Sequence, residues 1–150
     1  MASTITAADA TITITESISL GGVDRGGSHT RTISSVSEMD RRVMEVSSSA
    51  ETSLLNLGTA NAQGQFVRAN IRYIRVTNLD NSNFIRVRFM KSGAETADVK
   101  VLAGATFLMS DGSMDADTGA GAFSAFVDID NVKAQANGSA CDVEVVVLAV

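Results

Sequence analysis

Apolar residues recur at every second position along most of this chain, and that spacing decides what it can fold into. Successive side chains on an extended strand point to opposite faces, so period two gives one apolar and one polar face. A helix instead needs a period of about 3.6 residues. Thr11-Ile12-Thr13-Ile14-Thr15 alternates strictly, and Ile18 and Leu20 continue its apolar face. Ile85, Val87 and Phe89 alternate with Arg86 and Arg88. From Asp142 to Val150 both faces are apolar, the pattern of a strand covered on both sides. Composition agrees: 16 Val and 9 Ile stand against 8 Leu, with 30 Ser and Thr and no Pro.

Further strands are expected over Thr30–Val36, Arg42–Ser47, Ser53–Leu57, Phe66–Thr77, Asn83–Met90, Asp98–Leu102, Thr106–Met109 and Phe123–Ile129. Residues 37–45 have some helical character, with Ser37 as a cap and Asp40 three positions on; they are expected as a strand, or one turn followed by a strand. Four Gly between Gly21 and Gly27 mark a loop, as do the small polar residues 58–65 and the stretch 110–121. Asn78-Leu79-Asp80-Asn81-Ser82 is a run of turn formers between two strong strands and predicts an antiparallel hairpin. Asn137-Gly138 predicts a tight mirror-image hairpin turn. Eight to ten short, evenly spaced strands without a fixed-length repeat predict an all-β, single-domain β-sandwich, jelly-roll-like. Residues 1–10 read as a flexible arm and 11–150 as the sandwich. Its expected core is Ile12, Ile14, Ile74, Val76, Ile85, Val87, Phe89, Phe107, Phe126, Val143, Val145 and Val147.

Several classes are excluded or disfavoured. A zinc site of several Cys and His, or an internal disulfide, is impossible with one Cys and one His. No apolar run reaches the roughly 20 residues of a membrane-spanning helix. A net charge of −5 disfavours attraction to nucleic acid or an anionic membrane. The first residues lack the basic start and apolar run of a secretory signal, so folding in a reducing cytoplasm is expected.

The reactive residue types do not assemble into a motif. Ser28 and His29 are adjacent on a strand and point apart, so they cannot form the nucleophile–base pair of a triad; a surface His is the expectation. Cys141 reads as a small buried thiol. Asp111, Asp115 and Asp117, aided by Asp128 or Asp130, could supply oxygen ligands to a cation. A calcium loop fails on position, since Gly119 falls fifth and Phe126 twelfth from Asp115. The reading for this loop is solvated, and neither glycine stretch has the ending of a phosphate loop. Asn137-Gly138-Ser139 matches a glycosylation sequon but reads as a turn. No catalytic, cofactor or metal residue is assigned.

One charge pattern stands out. Arg68, Arg72, Arg75, Arg86, Arg88 and Lys91 are 6 of the 12 basic residues, with Asp80 the only acid among them. Folded as a hairpin, the stretch would present Arg75, Arg86 and Arg88 on an outer face. A protein partner with acidic groups fits best, because guanidinium forks bind carboxylates with two bonds. A plain solvated face competes, and nucleic acid follows, since the aromatics share the apolar face.

The same stretch resembles a known group. Tyr73-Ile74-Arg75-Val76-Thr77-Asn78-Leu79-Asp80 leads to Phe84-Ile85-Arg86-Val87-Arg88-Phe89 and then Val101-Leu102-Ala103-Gly104-Ala105-Thr106-Phe107-Leu108. This is similar to small virion proteins of tailed bacteriophages, including those of cyanobacterial hosts, in which such a hairpin precedes an alanine–glycine-broken strand and a Val-rich last strand. The resemblance covers residues 70–110 and 141–150. It implies a non-enzymatic virion structural protein: a capsid decoration (cement) protein that binds the major capsid protein and stabilises the head. A neck or tail-fibre component is the alternative, and a carbohydrate-binding jelly roll a further one. The implied partners are the chain itself, as a trimer or other homo-oligomer, and other virion proteins.

Overall fold

The computed structural model describes residues 5–91, 94–111, 115–116 and 127–150. Among them lie fifteen strands and one 3-10 turn, Arg68–Asn70, so the period-two pattern does produce an all-β chain. The chain divides into two compact units, Met1–Ser37 with Val150, and Glu38–Ala149.

The first unit is a β-ribbon. Strands β1 (Ala8–Glu16) and β4 (Gly27–Val36) pair antiparallel, with an irregularity between Ala8 and Ala10. Between them β2 (Ser19–Leu20) and β3 (Val23–Asp24) close on Gly21-Gly22. Both glycines have positive φ, 61° and 79°, the mirror-image turn that suits strand twist and strains any residue with a side chain. The glycine stretch is thus the tip of a ribbon as well as a loop. Two expectations are corrected here. Ile12 is half-buried and Ile14 is 44% exposed; of residues 5–37 only Ile33 is buried. The boundary expected after residue 10 falls after Ser37. Alternation marks a two-faced strand, and a two-stranded ribbon and a sandwich strand carry the same mark.

The second unit is the sandwich. Its strands are β5 (Glu38–Val46), β6 (Thr52–Gly58), β7 (Phe66–Val67), β8 (Ile71–Asn78), β9 (Ile85–Lys91), β10 (Ala94–Val101), β11 (Thr106–Met109), β12 (Asp115–Ala116), β13 (Val127–Asp128), β14 (Asn131–Ala136) and β15 (Cys141–Ala149). One sheet runs β5-β15-β8-β11 and the other β7-β6-β14-β9-β10, while β12 and β13 pair separately. Every pair is antiparallel except β6 with β7. Among the eight principal strands, each step along the chain changes sheet, save β9 to β10; that is jelly-roll connectivity.

Residues from both sheets form one core. Ile74, Val76, Val143, Val145 and Val147 of one sheet join Leu55, Leu57, Ile85, Val87, Phe89 and Val132 of the other. Each such side chain contributes roughly 1.5–3 kcal/mol over leaving it in water. Phe107 is half-buried and packs on this cluster, its ring 5.5 Å from that of Phe89. Phe126 and most of the expected strand 123–129 lie outside the described residues. In β8 the core residues Ile71 and Ile74 are three apart, which breaks alternation. A register shift opposite Leu148 and Ala149 absorbs the extra residue. On β15, Val146 and Leu148 are buried on the face away from the core, as a doubly apolar strand requires.

The two hairpins expected at turn signals are not hairpins. β8 and β9 belong to different sheets, and so do β14 and β15. The turn residues do turn the chain, with Gly138 at φ 85°, but they carry it from layer to layer. Asn78 is fully buried and makes the first arch: its Nδ2 donates to the carbonyls of Asn83 at 2.9 Å and Leu102 at 3.2 Å. Its Oδ1 accepts from Asp80 N at 3.1 Å. The expected strand Phe66–Thr77 is likewise interrupted at Arg68–Asn70, and residues 38–46 are strand throughout.

Candidate interaction surfaces

The arch separates the three arginines expected to share a face. Arg75 stands on β8 in one sheet, Arg86 and Arg88 on β9 in the other, each on the side away from the core. Their acids come from within the chain. Arg88 Nε and Nη2 donate to the two oxygens of Asp98 at 2.8 Å each, and its Nη1 to Glu51 Oε1 at 2.8 Å. Arg86 Nη2 donates to the same Glu51 oxygen at 2.8 Å and to Gln135 Oε1 at 3.0 Å. Lys133 Nζ is 3.5 Å from the other oxygen of Glu51. Arg75 Nη2 donates to Glu144, which also accepts from Arg41 Nε at 2.8 Å. These guanidinium groups therefore hold strands together within one chain, and a single Arg face does not exist. Glu51, Asp98 and Glu144 lie too far along the sequence for local reading to have paired them.

Other charges are left unbalanced. Glu45 on β5 lies directly opposite Asp142 on β15, both exposed. They line an open hollow of 320 Å³ with Leu79 and Asp80. The backbone N–H groups of Asn83 and Ser82, 2.6 and 2.7 Å from Asp80 Oδ1, hold that carboxyl below its usual range. Among the described residues none of the three carboxylates has an ion-pair partner. On the far side of the same loop, the Lys100 ammonium sits 4.0 Å over the Phe84 ring, and among the described residues it too has no acid partner. Phe84, Arg86, Gln135 and Asn137 line a second open hollow of 340 Å³ beside it. Neither hollow was foreseen; the only sequence signal was Asp80 among the basic residues.

The ribbon is the third surface. Its Ile14, Ile18, Leu20 and Val23 are 42–65% exposed. Its other face is a hydroxyl ladder, with Thr13 and Thr30 oxygens 3.2 Å apart and those of Thr15 and Ser28 at 3.5 Å. On β5, Met39 and Val43 are also exposed, 63% and 59%.

The remaining candidates stay apart. Ser28 pairs opposite Thr15 and His29 opposite Ile14, so the two side chains do point to different faces of the ribbon. Cys141 is buried, which pushes its thiol pKa up, with Asp80 and Asp142 adding to the shift. Of the acidic loop, Asp111 is exposed, Asp115 lies across from Asp128, and Asp117 is outside the described residues. Asp128 pairs with Arg68 at 2.9 Å and Lys91 at 3.6 Å. Among the described residues no three His, Cys, Asp or Glu converge as metal ligands.

No protein-family model matches the chain, and no curated protein does. A solved structure from Bacillus endospore appendages, described as a novel family of disulfide-linked pili, is similar at a TM-score of 0.43 and 10% identity. The match covers 75% of this chain and 88% of that one.

Proposed function

We propose that this chain is a non-enzymatic structural protein of a virus particle, a decoration (cement) protein that binds the major capsid protein of a tailed phage head. The observation that carries the reading is the ribbon. A two-stranded hairpin is marginally stable in water by itself. This one extends over residues 5–37 with a single buried side chain and five large apolar residues exposed. Such a segment gains its order from a neighbour, and a protein whose work is done by being covered is a component of an assembly. The jelly roll and the resemblance at residues 70–110 and 141–150 support a virion as that assembly. A carbohydrate-binding role draws less support. Tyr73 and Phe89 are buried, and Phe66, Phe84 and Phe107 half-buried, so among the described aromatics none offers an open stacking platform.

The test is electron microscopy of particles made with and without the full-length protein. Added density over the head shell, lost when Leu20 and Val23 are both changed to Asp, is the expected result. Density at the neck or on fibres would support the alternative position. A chain that leaves particles unchanged and associates with no virion protein would sink the reading.

A further inference from the structure

We propose that the two hollows flanking the Asn78–Phe84 arch are the two halves of one contact between copies of this chain. The carboxylate rim of Glu45, Asp80 and Asp142 on one copy seats against Lys100 and Arg86 on the next. This deepens the oligomer expected of a decoration protein and rests on that reading for its biological setting.

Three observations lead to it. Glu45 and Asp142 face each other across β5 and β15, and like charges placed opposite on neighbouring strands destabilise the pair. Among the described residues no cation in the chain relieves them, whereas Glu51, Asp98, Asp128 and Glu144 each have one. The relief available is a cation from outside. Second, Lys100 is the matching surplus: it is exposed, held over Phe84 and has no acid partner among the described residues. Around it Arg86, Arg88 and Lys133 outnumber Glu51 and Asp98, which makes this a positive face on a chain of net charge −5. Third, each half carries an exposed apolar residue to exclude water. Leu79 is 50% exposed within the acidic hollow, and Leu102, two residues beyond Lys100, is 58% exposed.

The occupant is a second copy because every copy presents both signs. A contact between different patches of identical chains is head-to-tail, and closes into a ring when the rotation permits. Here both patches border one arch at one end of the sandwich: Leu79 and Asp80 lie on one side of it and Phe84 on the other. Patches that adjoin at one end place that end near the rotation axis, which favours a small ring over a filament. The two backbone donors on Asp80 favour its charged form.

The experiment is sedimentation velocity on the purified full-length chain at low and high salt. The wild type is expected to form a small closed oligomer that dissociates as salt rises. Lys100→Glu and Asp142→Lys should each weaken association by roughly tenfold or more, and the K100E/D142K double variant should recover it, because the pair is restored with signs exchanged. Circular dichroism and urea midpoints check that folding is unchanged. Should a reversal unfold the chain, Lys100→Gln and Asp142→Asn read the same loss. A wild type that stays monomeric at low salt, or an oligomer indifferent to all four changes, overturns the proposal. Neither result touches the particle reading, which is decided by occupancy on particles.

Discussion

Arg88 holds Asp98 through two parallel bonds, Nε to Oδ1 and Nη2 to Oδ2, both at 2.8 Å. The pair joins β9 to β10 across the outer face of one sheet, and the third nitrogen reaches Glu51 before β6. The side chains are only 19% and 28% exposed, so the pair is better shielded from water than a surface ion pair. Arg88→Ala is therefore expected to cost about 1–3 kcal/mol of folding stability, the range for a hydrogen-bonded charge partly removed from water. Asp98→Ala should cost less, because Glu51 still holds the guanidinium. The double variant should cost less than the sum, a coupling that a urea double-mutant cycle measures. Arg88→Lys is not expected to restore the loss, since an ammonium cannot make the fork. Additive effects within about 0.3 kcal/mol would show that the pair contributes nothing of its own.

Asn78 is expected to matter more than any residue of its loop. Its buried amide donates to carbonyls of Asn83 and Leu102 and accepts from Asp80 N, so three stretches of chain converge on one side chain. Asn78→Leu leaves those groups unsatisfied and should cost roughly 2–4 kcal/mol. Asn78→Asp should be worse at neutral pH and recover partly in acid, because the anion faces carbonyl oxygens where the amide donated. Unfolding midpoints against pH read the difference; equal loss for both variants at every pH would mean the amide is only filling space.

This residue also marks where the sequence stops being informative. Ile85, Val87, Phe89 and the valines of β15 are legible because period two alone puts them on one face. The same rule cannot say which strands become neighbours. The turn formers from Asn78 to Ser82 announce a reversal, and whether the chain returns within its sheet or crosses to the other depends on bonds to Leu102, 24 positions away. The arginines follow the same logic. Their outward direction is legible, but the acids that occupy them come from Glu51, Asp98 and Glu144, brought close only by the jelly-roll order. Ile12 and Ile14 failed for a related reason: alternation gives the apolar face of a strand and not how far that face is buried.

Cys141 gives a prediction in pH. Burial raises its thiol pKa, with Asp80 and Asp142 adding to the shift. In the unfolded chain the thiol ionises at its ordinary value, while the folded one still keeps its proton. The unfolded state then binds fewer protons than the folded state, so stability should fall as pH rises from the ordinary thiol value toward the raised one. Cys141→Ala removes this dependence at the cost of a small cavity. Native protein should also react slowly with alkylating reagents at neutral pH and rapidly once unfolded. Fast native alkylation would contradict the burial.

The last prediction separates the two units. The core cluster is built wholly from residues between Val46 and Ala149, and none of its members comes from the ribbon. A chain beginning at Glu38 should therefore keep a cooperative unfolding transition and a β circular-dichroism spectrum. The complementary peptide, residues 1–37, should be unstructured alone. Its eight paired positions bury too little apolar surface to offset the backbone entropy of ordering, about 1–2 kcal/mol per residue. Ribbon structure should appear only when a partner covers Ile14, Ile18, Leu20 and Val23. Amide exchange distinguishes the cases: fast exchange over residues 8–36 in the isolated chain, slowed on assembled particles. If the peptide forms a protected ribbon by itself, its exposed apolar residues no longer require a neighbour, and the argument for assembly loses its main support.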